Sequence, residues 1–234
     1  MNKDVYEQVG IAMTCRSFDE YINMMSLREE DLAKGPLLDV AAGASSFTAS
    51  ARIKGFNSTA VDPLYSFSYA QMKDHGRNEI ELSTEQLSRI AHTFQWDYYK
   101  TIKEHRKNRE KSLECFLADY ALDSHKERYQ IGKLPHLPFE EGRFSLILSS
   151  HFLFLYQEQF SYPFHLASIL EMARVLRKGG EIRLYPLVAL NREPYPYLNQ
   201  LKQDLATYGL IIELLPTSFR FLDGANEILK IKKI

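Results

Sequence analysis

The stretch Leu37-Leu38-Asp39-Val40-Ala41-Ala42-Gly43-Ala44-Ser45-Ser46-Phe47 decides how this chain is read. An apolar run ends in an acid, passes through small residues around one glycine, and reaches two serines suited to cap a helix. The helix itself is suggested by Phe47-Thr48-Ala49-Ser50-Ala51-Arg52-Ile53. A buried strand, a tight turn and a helix start are the local physics of a nucleotide cradle. Small residues let the backbone approach a ligand, and the free N–H groups of the helix face it. A second short strand, Ser58-Thr59-Ala60-Val61, runs into Asp62-Pro63, with Asp62 placed 23 positions after Asp39. That is close to the roughly 20-residue offset expected of a ribose-binding carboxylate.

With 234 residues, the chain has room for one large α/β domain or at most two small ones. Its 29 basic and 30 acidic residues nearly balance, so no global charge points to nucleic acid or an anionic membrane. Cys15 and Cys115 are isolated and the histidines scattered, which suggests neither a disulfide scaffold nor a metal site. Met1-Asn2-Lys3-Asp4-Val5-Tyr6 does not read as a signal peptide. The apolar run over 144–156 is interrupted by Ser149-Ser150-His151 and is too short for a bilayer. The expectation is a soluble, cytoplasmic protein without metal.

Residues 1–34 read as helical. Ser17 with Glu20 has capping-box spacing, and Phe18, Tyr21, Ile22 and Met25 recur with helical period. Such a helix either only packs on the domain or closes as a lid over the carboxyl end of the first strand. Residues 64–111 depart from a minimal nucleotide fold. Ser83-Thr84-Glu85-Gln86 is a second capping signal, and Leu87, Ile90, Ala91, Phe94, Tyr98 and Ile102 predict a long amphipathic helix after it. Its basic far end, with Lys100, Lys103, Arg106, Lys107, Arg109 and Lys111, reads as a solvated face in preference to a binding patch.

Ser112-Leu113-Glu114-Cys115-Phe116-Leu117-Ala118-Asp119 reads as a third strand ending in an acid. Phe144-Ser145-Leu146-Ile147-Leu148-Ser149-Ser150 reads as a continuous buried strand. A helix over 162–176 follows, stopped by Lys178-Gly179-Gly180, and then a fifth strand over 181–187. This alternation argues for a parallel sheet covered on both faces. A helix over 197–208, capped by Gly209, precedes two strands, 210–215 and 227–232, with no helix between them. Antiparallel neighbours accept such a loop, whereas a parallel crossover usually carries a helix.

The turn lacks the Gly-x-Gly-x-x-Gly of a dinucleotide fold, since Gly43 stands alone. Asp39, Ala41, Gly43 and Ser45 instead resemble the Asp-x-Gly-x-Gly-x-Gly motif of class I S-adenosylmethionine (SAM)-dependent methyltransferases, with Ala and Ser in the outer glycine positions. Small side chains are tolerated there if φ is negative. Leu137-Pro138-Phe139-Glu140-Glu141-Gly142-Arg143-Phe144-Ser145-Leu146-Ile147 is similar to that family's Leu-Pro-Phe-x-Asp-x-x-Phe-Asp-Leu-Val. Arg174-Val175-Leu176-Arg177-Lys178-Gly179-Gly180 is similar to its Arg-Val-Leu-Lys-Pro-Gly-Gly turn. The resemblance covers 35–62, 113–187 and the terminal strand pair, and is nearest to small-molecule enzymes of bacteria. It implies an α/β fold: a seven-stranded, mostly parallel, doubly wound sheet whose last strand inserts antiparallel. A single domain over 1–234 is expected, with 1–34 as a helical cap or lid and 64–111 as a helical insertion.

The resemblance also implies roles. Asp62, followed by Pro63, takes both ribose hydroxyls, and Asp119 takes the adenine amino group, with the Tyr120 N–H free for a ring nitrogen. Ala41 and Gly43 lie against the cofactor, and Asp39 orders the turn or meets the methionine ammonium. Ser149 and its successors through Phe152 flank the methyl donor, and His151 is the candidate catalytic base or orienter, or else packs. The loop 191–197 touches substrate or packs. Methyl transfer from SAM to a small molecule is the expected function. The alternatives are a SAM-binding protein without catalysis and a nicotinamide-dependent oxidoreductase, the latter disfavoured by the missing glycines and the terminal strand pair. Nucleic-acid methylation is disfavoured because Ser149-Ser150-His151-Phe152 stands where amino-group methyltransferases of DNA carry Asn/Asp-Pro-Pro-Tyr/Phe, and neither cysteine lies there.

Overall fold

Leu37–Val40 forms β1, flanked in parallel by Ser58–Val61 (β2) and Phe144–Ser150 (β4). The remaining strands are Tyr129–Gln130 (β3), Leu176–Tyr185 (β5), Leu210–Pro216 (β6) and Glu227–Lys233 (β7). They complete one seven-stranded sheet in the order β3-β2-β1-β4-β5-β7-β6. This computed structural model describes residues 8, 10–123 and 127–234. The reading of residues 1–6 and the start of the expected cap therefore lie outside the described residues. β7 runs antiparallel between β5 and β6, with Leu184 opposite Leu229 and Leu214 opposite Leu229 on its other edge. The terminal pair thus forms as its loop-only connection requires.

Alternation along β1 sorts the layers. Leu38 and Val40 share a core with Ile169, Met172 and Val175 of helix Tyr162–Val175. Leu37 packs on the opposite face with Tyr21, Met24 and Phe47. In chain order the helices are α1 (Phe18–Met24), α2 (Glu29–Leu32), α3 (Phe47–Ile53), α4 (Tyr69–Arg89), α5 (Ile102–Leu122), α6 (Tyr162–Val175) and α7 (Leu198–Thr207). α1 begins with the expected capping box between Ser17 and Glu20.

Several expectations need correction. Residues 112–119 are not a strand; they belong to α5, whose buried Leu113, Phe116, Leu117 and Tyr120 follow helical spacing. The third strand is the two-residue β3, held by Ala60 N–H donating to Arg128 O at 2.7 Å. Ser83-Thr84-Glu85-Gln86 is not a helix start but lies inside α4, where the Ser83 and Thr84 hydroxyls donate back to Ile80 O. Residues 87–102 are not one helix, since α4 ends at Arg89 and α5 is capped by Thr101. Lys178-Gly179-Gly180 does not stop a helix either. It lies within β5, where the pairing with β4 shifts register between Phe144 and Leu146.

The basic run of α5 is not wholly solvated: Arg109 is buried, and Arg106 pairs with Glu81 and Glu110. No described helix is long and apolar enough to cross a membrane.

Candidate functional site

Strand order changes direction between β1 and β4, which leaves a crevice beyond their carboxyl ends. A cavity of about 430 Å³ occupies it, within the roughly 300–1,000 Å³ typical of small-ligand sites. Ala41 and Gly43 of the turn after β1 form one wall, and Asp62, Pro63 and Leu64 at the end of β2 form the next. Gly132 and Lys133 after β3, Ser150 at the end of β4, and His151 and Phe152 after it continue it. Ile11 to Thr14 cover the remaining side.

Asp62 joins two of these walls. Gly43 N–H donates to its Oδ2 and Leu64 N–H to its Oδ1, both at 2.9 Å. Each carboxylate oxygen has two lone pairs, so one acceptor position on each is left for a ligand. Burial raises this carboxyl above its ordinary range, while the Leu64 and Gly43 N–H groups act against the rise.

Gly43 has φ +55°, and a Cβ there would lie 3.2 Å from Met13 Cγ. Glycine is therefore favoured by the turn, and a Cβ would press on the side chain of Met13 in the N-terminal segment. Ala41 also has φ +55°. The condition of negative φ fails at this position, and the alanine carries left-handed strain of about 1 kcal/mol or more. Ser45 is outside that region, and its hydroxyl accepts Phe47 N–H at 3.0 Å at the start of α3.

Four expected contacts are placed elsewhere. Asp39 is fully buried on the α1 face, where Tyr21 OH donates to its Oδ1 at 3.0 Å. Burial pushes its carboxyl up to about 8, with the Tyr21 bond opposing and the Asp62 charge adding. It does not line the cavity, so its geometry is that of a residue ordering the turn. Asp119 and Tyr120 also lie off the cavity, because α5 replaces the expected strand. Asp119 accepts Tyr129 OH at 2.8 Å and pairs with Arg128, and Tyr120 OH donates to Phe67 O at 2.7 Å. Ser149 is turned away by strand alternation, and its neighbour Ser150 lines the cavity instead.

His151 does line it, at φ +55°, with its N–H donating to Tyr185 O at 2.6 Å and Nδ1 2.6 Å from Ser150 Oγ. Burial, reinforced by Arg16 and Arg109, holds the imidazole well below its ordinary value. The ring is thus a weaker base than its residue type suggests.

α1 is a packed element: Tyr21 and Met24 are buried, and Tyr21 stacks on Phe47 at 4.7 Å. The segment before it covers the site. Ala12 N–H donates to Tyr156 OH at 2.9 Å, and Arg16 O accepts Ser46 N–H at 2.9 Å. Beyond this segment lies a second cavity of about 100 Å³. Ala12, Met13, Thr14 and His151 line both. Residues 11–14 were missed because Ile11-Ala12-Met13-Thr14 has no periodicity or motif, and Gly132-Lys133 because β3 is too short to leave a pattern. Gly132 has a packing reason: a Cβ there would lie 2.8 Å from Val61 Cγ2. The loop after β5 reaches the second cavity only through Leu190.

No family model matches the chain. An uncharacterized protein of Methanocaldococcus jannaschii, MJ0045, is 32% identical over 219 residues, spanning 93% of this chain and 94% of that protein. An O-methyltransferase family protein from Burkholderia thailandensis superposes with a TM-score of 0.51 at 10% identity, covering 92% of this chain and 55% of that one. A SAM-dependent methyltransferase from Aquifex aeolicus gives 0.43 at 11% identity, over 91% and 90% of the two chains. The chain belongs to the family of the M. jannaschii protein, and its fold is that of the class I SAM-dependent methyltransferases.

Proposed function

We propose that this chain transfers a methyl group from SAM to a small-molecule acceptor. The observation that carries the reading is the pair of adjoining cavities, which meet at residues 12–14 and His151. A donor in the larger and an acceptor in the smaller would face each other at that junction. Met13 lies there, and its flexible thioether chain can give way to a ligand.

The residues present fit this cofactor. Asp62 keeps an acceptor position on each carboxylate oxygen, suited to two neighbouring hydroxyls. The left-handed turn at Ala41 and Gly43 brings backbone to the cavity wall. Bound there, SAM supplies a methyl group already activated on a sulfonium. The protein's part is alignment, which contributes roughly 7–11 kcal/mol in well-oriented reactions. Residues 12–14 and His151 at the junction would hold the acceptor with its lone pair toward that methyl group. A neutral His151 with a depressed basicity takes a proton poorly. It orients groups at the junction, and an acceptor that arrives with a free lone pair suits the site.

The test is incubation with methyl-labelled SAM and panels of small acids, phenols and amines. The reading expects label in one class of acceptor and formation of S-adenosylhomocysteine. Binding without turnover on every panel would leave a SAM-binding protein, and binding of NAD in place of SAM would favour an oxidoreductase.

A further inference from the structure

The acid expected to take the adenine amino group is not at the cavity, since Asp119 is held by Tyr129 OH and Arg128. Among the described residues, Asp62 is the one carboxylate on the wall of the larger cavity. Strand order decides which way a ligand anchored there extends. Neighbouring strands run β3-β2-β1-β4. The wall therefore passes from Gly132 and Lys133 after β3, through Asp62 after β2 and Ala41 and Gly43 after β1, to His151 after β4. With the methyl group at the His151 end and the ribose on Asp62, the purine ring lies toward Gly132 and Lys133.

That end of the cavity is apolar apart from one side chain. Leu134 and Leu137 pack with Val61 in one core, and Phe164 rests against it. All four line the cavity, and packing of this kind holds one purine ring as well as another. His75 also lines the cavity and has a ring nitrogen that could accept a hydrogen bond, but it belongs to α4. That helix packs with Ala60 on the opposite face of β2 from Val61. Lys133, which is exposed, is the polar side chain at the purine end. An ammonium donates hydrogen bonds and accepts none. It cannot meet an exocyclic amino group, whereas it meets a ring nitrogen of adenine or the keto oxygen of hypoxanthine equally well. The Lys133 carbonyl is engaged in the loop's own turn, where it accepts His136 N–H at 3.0 Å.

We infer, on the methyl-transfer reading above, that this chain holds its cofactor without recognising the amino group of the purine, and that the deaminated, keto form of the same nucleoside is a ligand of the same site. Lys133 is the residue that sets this tolerance. A site built to accept from an N–H group rejects an analogue that lacks it, because its own buried acceptor is then left unpaired. Here no side chain is left unpaired by the exchange of amino for keto. Affinity rests on Asp62, on the turn at Ala41 and Gly43, and on the apolar walls, none of which touches the exchanged group.

The probes are S-adenosylhomocysteine and its deaminated counterpart S-inosylhomocysteine, each titrated by calorimetry into the full chain. The expectation is that their affinities agree within about threefold, whereas a carboxylate on the amino group would separate them by about tenfold or more. Lys133→Glu puts an acceptor at the purine end and should create a preference for S-adenosylhomocysteine of about tenfold or more. Asp62→Ala should weaken both ligands by the same factor, because the ribose is common to them. A wild-type preference for S-adenosylhomocysteine of about tenfold or more overturns the inference and assigns the amino group to a backbone carbonyl, while the methyl-transfer reading stands. A Lys133→Glu protein that binds the two alike overturns it as well, by moving the purine away from Lys133. Failure of both ligands to bind the folded wild type sinks the cofactor reading itself.

Discussion

Arg109 and Glu20 form a buried, doubly hydrogen-bonded ion pair at 2.7 and 2.9 Å, joining α5 to the first turn of α1. Glu20 Oε2 also accepts Ser17 N–H at 2.7 Å, so the same carboxylate closes the capping box. Tyr99 OH donates to Glu20 as well and accepts Arg109 Nη2 at 2.8 Å. One acid therefore locks the segment that covers the site to the helical region between β2 and β3.

Glu20→Gln should destabilise the protein by about 3–5 kcal/mol, because it leaves Arg109 buried without its counter-charge. Burial alone would raise the Glu20 carboxyl, but Arg109, Arg16 and the Ser17 N–H outweigh it and hold it at about 2. With an unfolded value of about 4.3, its stabilisation is complete above that pH and is lost as pH falls toward 2. Urea midpoints across this window should fall for the wild type and much less for the variant. Parallel acid profiles would refute the pair's role.

Asp39→Asn should act in the opposite sense. The folded carboxyl, pushed up to about 8, stays protonated where the unfolded chain, at about 3.9, ionises. Wild-type stability should therefore decline between roughly pH 4 and 8 relative to the variant. Asn keeps an oxygen for Tyr21 OH and removes the ionisation, so a gap that grows by up to about 1.4 kcal/mol per pH unit toward pH 8 and closes toward pH 4 is expected. A variant less stable than wild type at pH 8 contradicts this environment for Asp39.

The core of the fold was legible where side-chain pattern and backbone need coincide. β1, α3, β2, β4 and the loop-joined β6–β7 pair fall where apolar runs, caps and turn residues predict them. Residues 112–119 misled because an apolar run ending in Asp119 looks like a strand. Leu113, Phe116, Leu117 and Tyr120 carried the helical period, and that period decided the outcome. The error moved Asp119 and Tyr120 out of the site. At the site itself, Asp62, Pro63, Ala41, Gly43 and His151 line the cavity, because strand ends in a parallel sheet point there. Ser149 missed by one position, which in a strand means the other face. The depressed basicity of His151 was beyond any local reading, since it comes first from burial in the folded chain and then from Arg16 and Arg109, remote in sequence.

Ala41→Gly should stabilise the protein by about 1 kcal/mol by removing left-handed strain at φ +55°. Ser45→Gly, at a position without positive φ and with a capping bond to Phe47, should instead cost a few tenths to about 1 kcal/mol. Thermal melts of the two variants check the contrast. Equal shifts would show that the turn does not distinguish positions 41 and 45.

His151→Ala should lower turnover on any acceptor while SAM affinity changes little, the pattern of a contact made to substrate or transition state. The wild-type rate profile should show no inflection near pH 6.5 from this ring, since burial keeps it neutral. A bell centred there that vanishes in the variant would restore His151 as a base.

The most direct measurement is calorimetric titration of S-adenosylhomocysteine into the wild type and Asp62→Ala, with circular dichroism confirming that both are folded. The account predicts binding to the wild type and a loss of about 1.5–3 kcal/mol in the variant, roughly a tenfold to hundredfold weaker affinity. Equal affinity in the two proteins, or no binding to the folded wild type, would contradict it.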